Sequence, residues 1–298
     1  MAYDPKGGYV LLFGGAGDFN PVYGDTWKFQ AGTWTQLSPA RSPPARYGAD
    51  LVYDAHDGYM VLFGGETSTT ATALLNDTWK WSGGTWTNIS PAVSPPARFW
   101  SAMAYDARDG YVVLFGGEGS GTCPSCNFLG DTWDFISGVW INVTQPSGPS
   151  PRWLPNMSYD ATDGYLIMYG GESATGFQTD TWKFVAGVWT NITSSTFPSD
   201  QSAYLSMAYD PVLGGVILFG GYPNHCSGCG VPAPSVYYTW EFSGGTWTNI
   251  TPHVSPPARS EAGMAFDGTT TGYLLLFGGN TYAYFGTAQP LDDTWKLV

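Results

Sequence analysis

The sequence predicts an all-β chain made of six copies of one four-stranded unit, and three observations predict it. Paired glycines close an apolar run at Gly14-Gly15, Gly64-Gly65, Gly116-Gly117, Gly170-Gly171, Gly220-Gly221 and Gly278-Gly279, at spacings of 50, 52, 54, 50 and 58 residues. Asp-Thr-Trp follows at 25–27, 77–79, 131–133, 180–182 and 293–295, with Tyr238-Thr239-Trp240 in the fifth copy. Finally, Gly 40, Pro 22, 16 % aromatic and only 12 % charged residues make a chain too aromatic for disorder and too poor in Lys, Glu and Leu for a helical bundle.

The second copy justifies each element. Ala45–Asp54 has the length and residue types of a first strand, and Asp54-Ala55-His56-Asp57-Gly58 supplies a tight turn, with Asp accepting from nearby amides and Gly free to take positive φ. Tyr59-Met60-Val61-Leu62-Phe63 is a continuous apolar run, suited to a strand covered on both faces. After the double glycine and a loop of variable length, Asp77-Thr78-Trp79-Lys80-Trp81 reads as a third strand. Ser82-Gly83-Gly84 is a hairpin turn and Thr85-Trp86-Thr87-Asn88-Ile89 an alternating fourth strand. Short four-stranded antiparallel sheets repeated around an axis protect their edges as a β-propeller.

The apolar run ending in Gly-Gly, the following Asp-Thr-Trp and the later Gly-x-Trp resemble the kelch motif, and the resemblance covers essentially the whole chain. It departs from the commonest form in carrying Trp where many kelch repeats have Tyr. The resemblance implies a six-bladed kelch-type propeller in one domain over residues 1–298. The first and last blades are expected to be incomplete, because the first unit keeps only the tail of its inner strand and the last stops at Trp295-Lys296-Leu297-Val298. Met1-Ala2-Tyr3-Asp4 recurs as Met103–Asp106 and Met207–Asp210, so the chain reads as a fragment of a longer one. Open strand edges at its ends could support self-assembly.

Net charge is −13, with five Lys and six Arg and no basic run, which argues against a nucleic-acid partner. No apolar stretch approaches membrane-spanning length. The strand-two-to-three loops and the inter-blade linkers share one face, the expected functional face. There Arg46-Tyr47, Arg98-Phe99-Trp100, Arg152-Trp153 and Arg259 could hold a carboxylate, an acidic peptide or a sugar. The alternative is structural: each Arg pairs with a loop carboxylate such as Glu66, Glu118 or Glu172 and fastens adjacent blades. Eleven of the fourteen Trp fall at two repeat positions and are expected to pack between blades.

Cys123-Pro-Ser-Cys126 and Cys226-Ser-Gly-Cys229 read as local disulfides of an oxidising compartment. Cys226, Cys229, His225 and His253 are the alternative, a zinc set. The Asp-x-x-Asp-Gly turns offer too few oxygens for calcium, and no cofactor is expected. Asn-x-Ser/Thr occurs at Asn76, Asn88, Asn142, Asn156, Asn191 and Asn249. Asn88, Asn142, Asn191 and Asn249 share one place in the outermost strand and are the expected glycosylation sites.

The function expected from these features is a non-enzymatic extracellular or cell-surface module that binds protein or glycan, or builds a surface assembly. The alternative is a secreted oxidase or hydrolase on the loop face, resembling galactose oxidase. Only His56, His225 and His253 are available to such an enzyme. An intracellular substrate adaptor would leave the paired cysteines unexplained.

Overall fold

The computed structural model describes residues 1–17, 21–68, 73–120, 127–199, 201, 203–222, 235–268, 272–281 and 289–297. It contains strands and no helix among these residues. Blade one comprises Ala2–Asp4, Tyr9–Ala16, Val22–Gln30 and Thr33–Leu37; blade two comprises Asp50–Asp54, Tyr59–Phe63, Thr78–Ser82 and Thr85–Asn88. Blades three to five begin their inner strands at Ala102, Asn156 and Ser206 and end at Asn142, Asn191 and Asn249. Each of the five is an antiparallel four-stranded meander. Blade six has three strands, Gly263–Asp267, Tyr273–Phe277 and Thr294–Leu297. The expected shortfalls are therefore both present: three residues of inner strand remain in blade one, enough to pair Ala2 with Leu11 and Asp4 with Tyr9, and blade six has no fourth strand among the described residues.

The second strands form the interior. Met60, Val61, Leu62 and Phe63 have no more than 1 % exposure, as a run flanked by two neighbouring blades requires. The turns behave as their residues dictate: Asp54 Oδ1 accepts from the His56 and Asp57 amides, and Asp106 and Asp160 repeat the pattern.

The fourth-strand tryptophans join consecutive blades. Trp86 donates its indole N–H to Thr26 Oγ1, Trp140 to Thr78, Trp189 to Thr132 and Trp247 to Thr181, at 2.9–3.0 Å. Each ring also packs on an aromatic of the preceding blade, as Trp140 does on Phe63 at 5.0 Å. Trp34 repeats the contact across the seam, with Thr294 Oγ1 at 3.0 Å and Phe277 at 4.8 Å. Val10 and Phe29 of blade one share a core with Ala265 and Leu275 of blade six. The two ends of the ring thus meet through side chains. Among the described residues no sheet combines strands of both.

Two buried polar atoms mark where the repeat departs from itself. Among the described residues Thr239 Oγ1 has no partner, and no fourth-strand Trp of blade six lies against it. Trp240 Nε1 is likewise unpaired among them. The other third-strand tryptophans donate to the Asp two residues before them, at 2.6 Å, and Tyr238 stands in that place in blade five.

Candidate functional site: the channel mouth

The four linker arginines are interior residues, each 0–1 % exposed. Their main chains belong to one blade and their side chains to the next. The Arg98 amide donates to Leu75 O and its carbonyl accepts from the Gly65 amide, both in blade two. Its guanidinium donates to Gly116 O at 2.9 Å and, bidentately, to both Asp131 oxygens at 2.7 Å in blade three. Arg46 with Asp77, Arg152 with Asp180 and Arg259 with Asp293 repeat the arrangement. Burial opposes charge on Asp77, Asp131 and Asp180, but the hydrogen bonds and charge of the paired arginine outweigh it and hold each carboxyl below its usual range.

This geometry corrects one sequence expectation. The arginine partners are the third-strand aspartates, not Glu66, Glu118 or Glu172, because the extended side chain runs back along the Gly-Gly turn toward the start of strand three. With its donors occupied and its surface covered, none of Arg46, Arg98, Arg152 and Arg259 reaches the mouth as a ligand group. Blade five has lost both members of the pair: Gln201 donates to Gly220 O and Tyr238 O in place of an arginine.

The residues just after the arginines do reach the mouth. Gly48, Trp100, Leu154, Tyr204 and Glu261 occupy one repeat position, and all have φ between 50° and 61°. Four of the five are not glycine, in a region that L-residues seldom adopt. Backbone bonds between blades impose it: the Trp100 amide donates to Gly48 O, Leu154 to Trp100 O and Glu261 to Tyr204 O, at 2.8–2.9 Å. The result is a collar in which Gly48, Trp100 and Glu261 line the opening while Leu154 is buried.

Trp100 dominates that opening. Its ring stacks on Phe99 at 4.5 Å and meets Tyr47 of blade two at 5.9 Å, Trp153 of blade four at 5.0 Å and Tyr204 of blade five at 5.8 Å. One indole therefore touches rings from four blades. Tyr222 extends the cluster from Tyr204 at 5.2 Å. Beside it a cavity of about 610 Å³ opens between blades one and six, lined by Tyr47, Trp100, Glu261 and Asn280 among others.

Carboxylates surround these rings. The Tyr47 hydroxyl donates to Glu66 at 2.6 Å, the Trp153 indole to Glu172 at 3.2 Å and the Asn280 amide to Glu261 at 2.6 Å. Glu118 lies on the blade between Glu66 and Glu172, is 7 % exposed, and has no hydrogen-bond donor to its side chain among the described residues. Burial and then the charges of Glu66 and Glu172 raise it to about 7. Burial, the Glu66 bond and the charges of Glu66, Glu118 and Glu261 together push the Tyr47 phenol well above its usual value. Sequence reasoning treated Glu66, Glu118 and Glu172 only as arginine partners and passed over Glu261. The signal available was Glu directly after three of the six Gly-Gly pairs.

The remaining expected sites divide. Cys123, Cys126, Cys226, Cys229 and His225 lie outside the described residues, while His253 is exposed. His56 is exposed on the opposite face and bonds Asp57. No group of three or more metal-ligating side chains occurs among the described residues. Asn88, Asn142, Asn191 and Asn249 end their strands exposed, and each has a structural task. Asn88 Oδ1 accepts from the Ser90 amide, and Ser90 Oγ accepts from the Thr78 amide of strand three. The equivalent Asn–Thr pairs do the same in blades three to five. This turn accounts for the repeated Asn-x-Ser/Thr on structural grounds alone.

Radial sheets joined blade to blade by repeated Trp–Thr and Arg–Asp contacts define a β-propeller of repeat type. Residues 2–221 match the KLHDC2/KLHL20/DRC7 Kelch-repeats domain, and the chain belongs to the kelch-repeat family. It is 30 % identical over 192 residues to an F-box/kelch-repeat protein of Arabidopsis thaliana, a match covering 56 % of this chain and 39 % of that protein. It is also 30 % identical over 175 residues to multiple epidermal growth factor-like domains protein 8 of Rattus norvegicus, covering 55 % of this chain and 6 % of that one. The chain thus spans well under half the length of either relative.

Proposed function

We propose that this chain is a non-catalytic binding module that presents the channel mouth to a protein partner, at the cell surface or outside the cell. Kelch repeats generally mediate protein binding, and the observation that carries the reading is the Trp100 cluster. The buried Phe99 and half-buried rings from three other blades converge on one indole, held in left-handed backbone by a rigid collar. Rigid aromatic anchors at the centre of a scaffold face are the usual source of interface energy, and strain retained at one repeat position points toward a use for it. A glycan stacked on the same rings is the second ligand class the site would accept. The edge of Thr294–Leu297, unpaired among the described residues, would accept an added strand in a surface assembly.

The extracellular setting is supported by the two Cys-x-x-Cys elements and by the low Lys content, and the four sequons, whose repetition has a structural cause, keep their Asn side chains exposed to modification. Secretion from a eukaryotic host followed by glycosidase treatment tests it: a mass shift lost on substituting Asn88, Asn142, Asn191 and Asn249 is expected, and an unmodified secreted chain would remove that support. For the mouth, peptides selected from a random displayed library should lose binding to the Trp100→Leu protein. They should retain it when Val188, exposed on a fourth strand, is changed to Ser. Selected peptides indifferent to Trp100 would place the binding surface elsewhere.

A further inference from the structure

From the chemistry of the mouth we infer that its ligand presents a cationic side chain, the Lys or Arg of an extended peptide segment, seated against the Trp100, Tyr47 and Tyr204 rings with its charge toward Glu118. This rests on the reading of the mouth as a peptide seat and adds the ligand's charge to it.

Three observations carry it. Glu118 is a largely buried residue, 7 % exposed, whose carboxylate keeps some access to solvent and has no hydrogen-bond donor among the described residues, with two more carboxylates beside it. A carboxylate so poorly hydrated gains from a cationic partner, and its neighbours Glu66, Glu172 and Glu261 already accept from Tyr47, Trp153 and Asn280. Second, ring faces carry negative potential, and a cation within about 6 Å of a ring centroid is attracted to it. The molecule uses this contact in four of its own blades: Lys28, Lys80, Lys183 and Lys296 lie 4.0–5.8 Å from the ring centroids of Tyr9, Tyr59, Tyr165 and Tyr273. At the mouth the same kind of ring surface is present without a lysine of the chain. Third, the four arginines nearest the mouth are neutralised beneath it by their aspartates, so they do not offset the rim's charge.

An organic cation fits better than a metal ion. The rim carboxylates are contributed by separate blades, and no three ligating side chains among the described residues come together tightly enough to hold a metal. The cavity beside Tyr47 and Trp100, about 610 Å³, has room for the backbone of a short extended segment beside the seated side chain.

The test compares acetylated, amidated Gly-flanked tripeptides of arginine, lysine, citrulline and glutamate, read by calorimetry and by quenching of tryptophan fluorescence at low salt. The arginine and lysine peptides should bind at least tenfold more tightly than citrulline, the neutral isostere of arginine, and the glutamate peptide should not bind. Glu118→Gln should weaken the arginine peptide about fivefold to tenfold while leaving the citrulline peptide unchanged. Trp100→Leu should weaken both. Leu is an apt replacement, since Leu154 already occupies the equivalent left-handed position, and an unchanged urea midpoint verifies the fold. Equal binding of arginine and citrulline peptides with Trp100 dependence would overturn the charge assignment and leave the peptide seat standing. Arginine binding unaffected by both substitutions would mean diffuse attraction to an acidic protein and would overturn the inference. Failure of every library-selected and charged peptide to depend on Trp100 would remove the seat and the inference together.

Discussion

Replacing Arg98 by Gln should be the most damaging single change outside the hydrophobic interior. The guanidinium donates to Pro96 O at 3.0 Å, Gly116 O at 2.9 Å and both oxygens of Asp131 at 2.7 Å. Its own amide and carbonyl are tied to blade two, so one residue joins two blades. A glutamine can remake one or two of these bonds, as Gln201 does in blade five, but there Tyr238 has replaced the aspartate. In Arg98→Gln the Asp131 carboxylate stays, partly buried and unpaired except for the Trp133 indole at 2.6 Å. Breaking a buried pair in this way costs about 3–5 kcal/mol. Asp131 keeps 20 % side-chain exposure, which places the loss near about 3 kcal/mol, roughly a 6 °C fall in Tm for a domain of this size.

The loss should also depend on pH. The Asp131 carboxyl lies below its usual value in the folded protein, so the pair's contribution is complete above the unfolded carboxylate value and disappears as pH falls through the folded one. Urea denaturation at pH 7 and pH 3 should therefore show a larger difference between wild type and variant at the first than at the second. Arg98→Gln with Asp131→Asn should lose less than the two single changes summed. A loss under about 1 kcal/mol at pH 7, against the ~3 kcal/mol argued for a broken buried pair, would refute the account. So would an equal loss at both pH values.

Three further outcomes follow from the same contacts. Trp140→Phe keeps most of the packing on Phe63 and Phe135 but strands Thr78 Oγ1. It should cost about 1–3 kcal/mol by urea titration, with Thr78→Val in the same background recovering part of the loss. Gly116→Ala places a Cβ 2.6 Å from Arg152 O at φ +71° and should destabilise severely, whereas Gly138→Asn, at φ +79° with nothing within 4 Å of a Cβ, should change the melting temperature little. Glu118→Gln should stabilise the protein at pH 8 relative to wild type and lose that advantage near pH 4.5. A carboxyl raised from 4.5 to about 7 makes the wild type less stable as pH rises through that window, by at most about 3 kcal/mol. An advantage independent of pH would show that Glu118 is not the perturbed group.

The repeat could be read from the sequence because its signals are local. The apolar run of Tyr59–Phe63, the Asp54–Gly58 turn and the Ser82–Gly84 hairpin each specify their own strand or turn, and each recurs. Fourth-strand tryptophans such as Trp86 and Trp140 could be assigned to blade interfaces because alternation puts them on the inner face of an otherwise exposed strand. The sequons were equally visible, but their hydrogen bonds to strand three, as from the Thr78 amide to Ser90, were not, since that contact joins residues twelve positions apart.

The number of repeats within this chain, their strand order and the tryptophan seams are thus legible in the sequence alone, since each depends on spacing within about fifty residues and on the physics of alternation. Only the tertiary structure decided which carboxylate each arginine takes: Asp77 and Glu66 are both near Arg46 in sequence terms, and the choice turns on the path of a side chain past Gly64. It also decided that Trp100 gathers rings from three other blades and that Glu118, among the described residues, has only like charges beside it and no hydrogen-bond donor. Those residues lie one or more blades apart along the chain, and only the curving of successive blades around a shared axis brings them together.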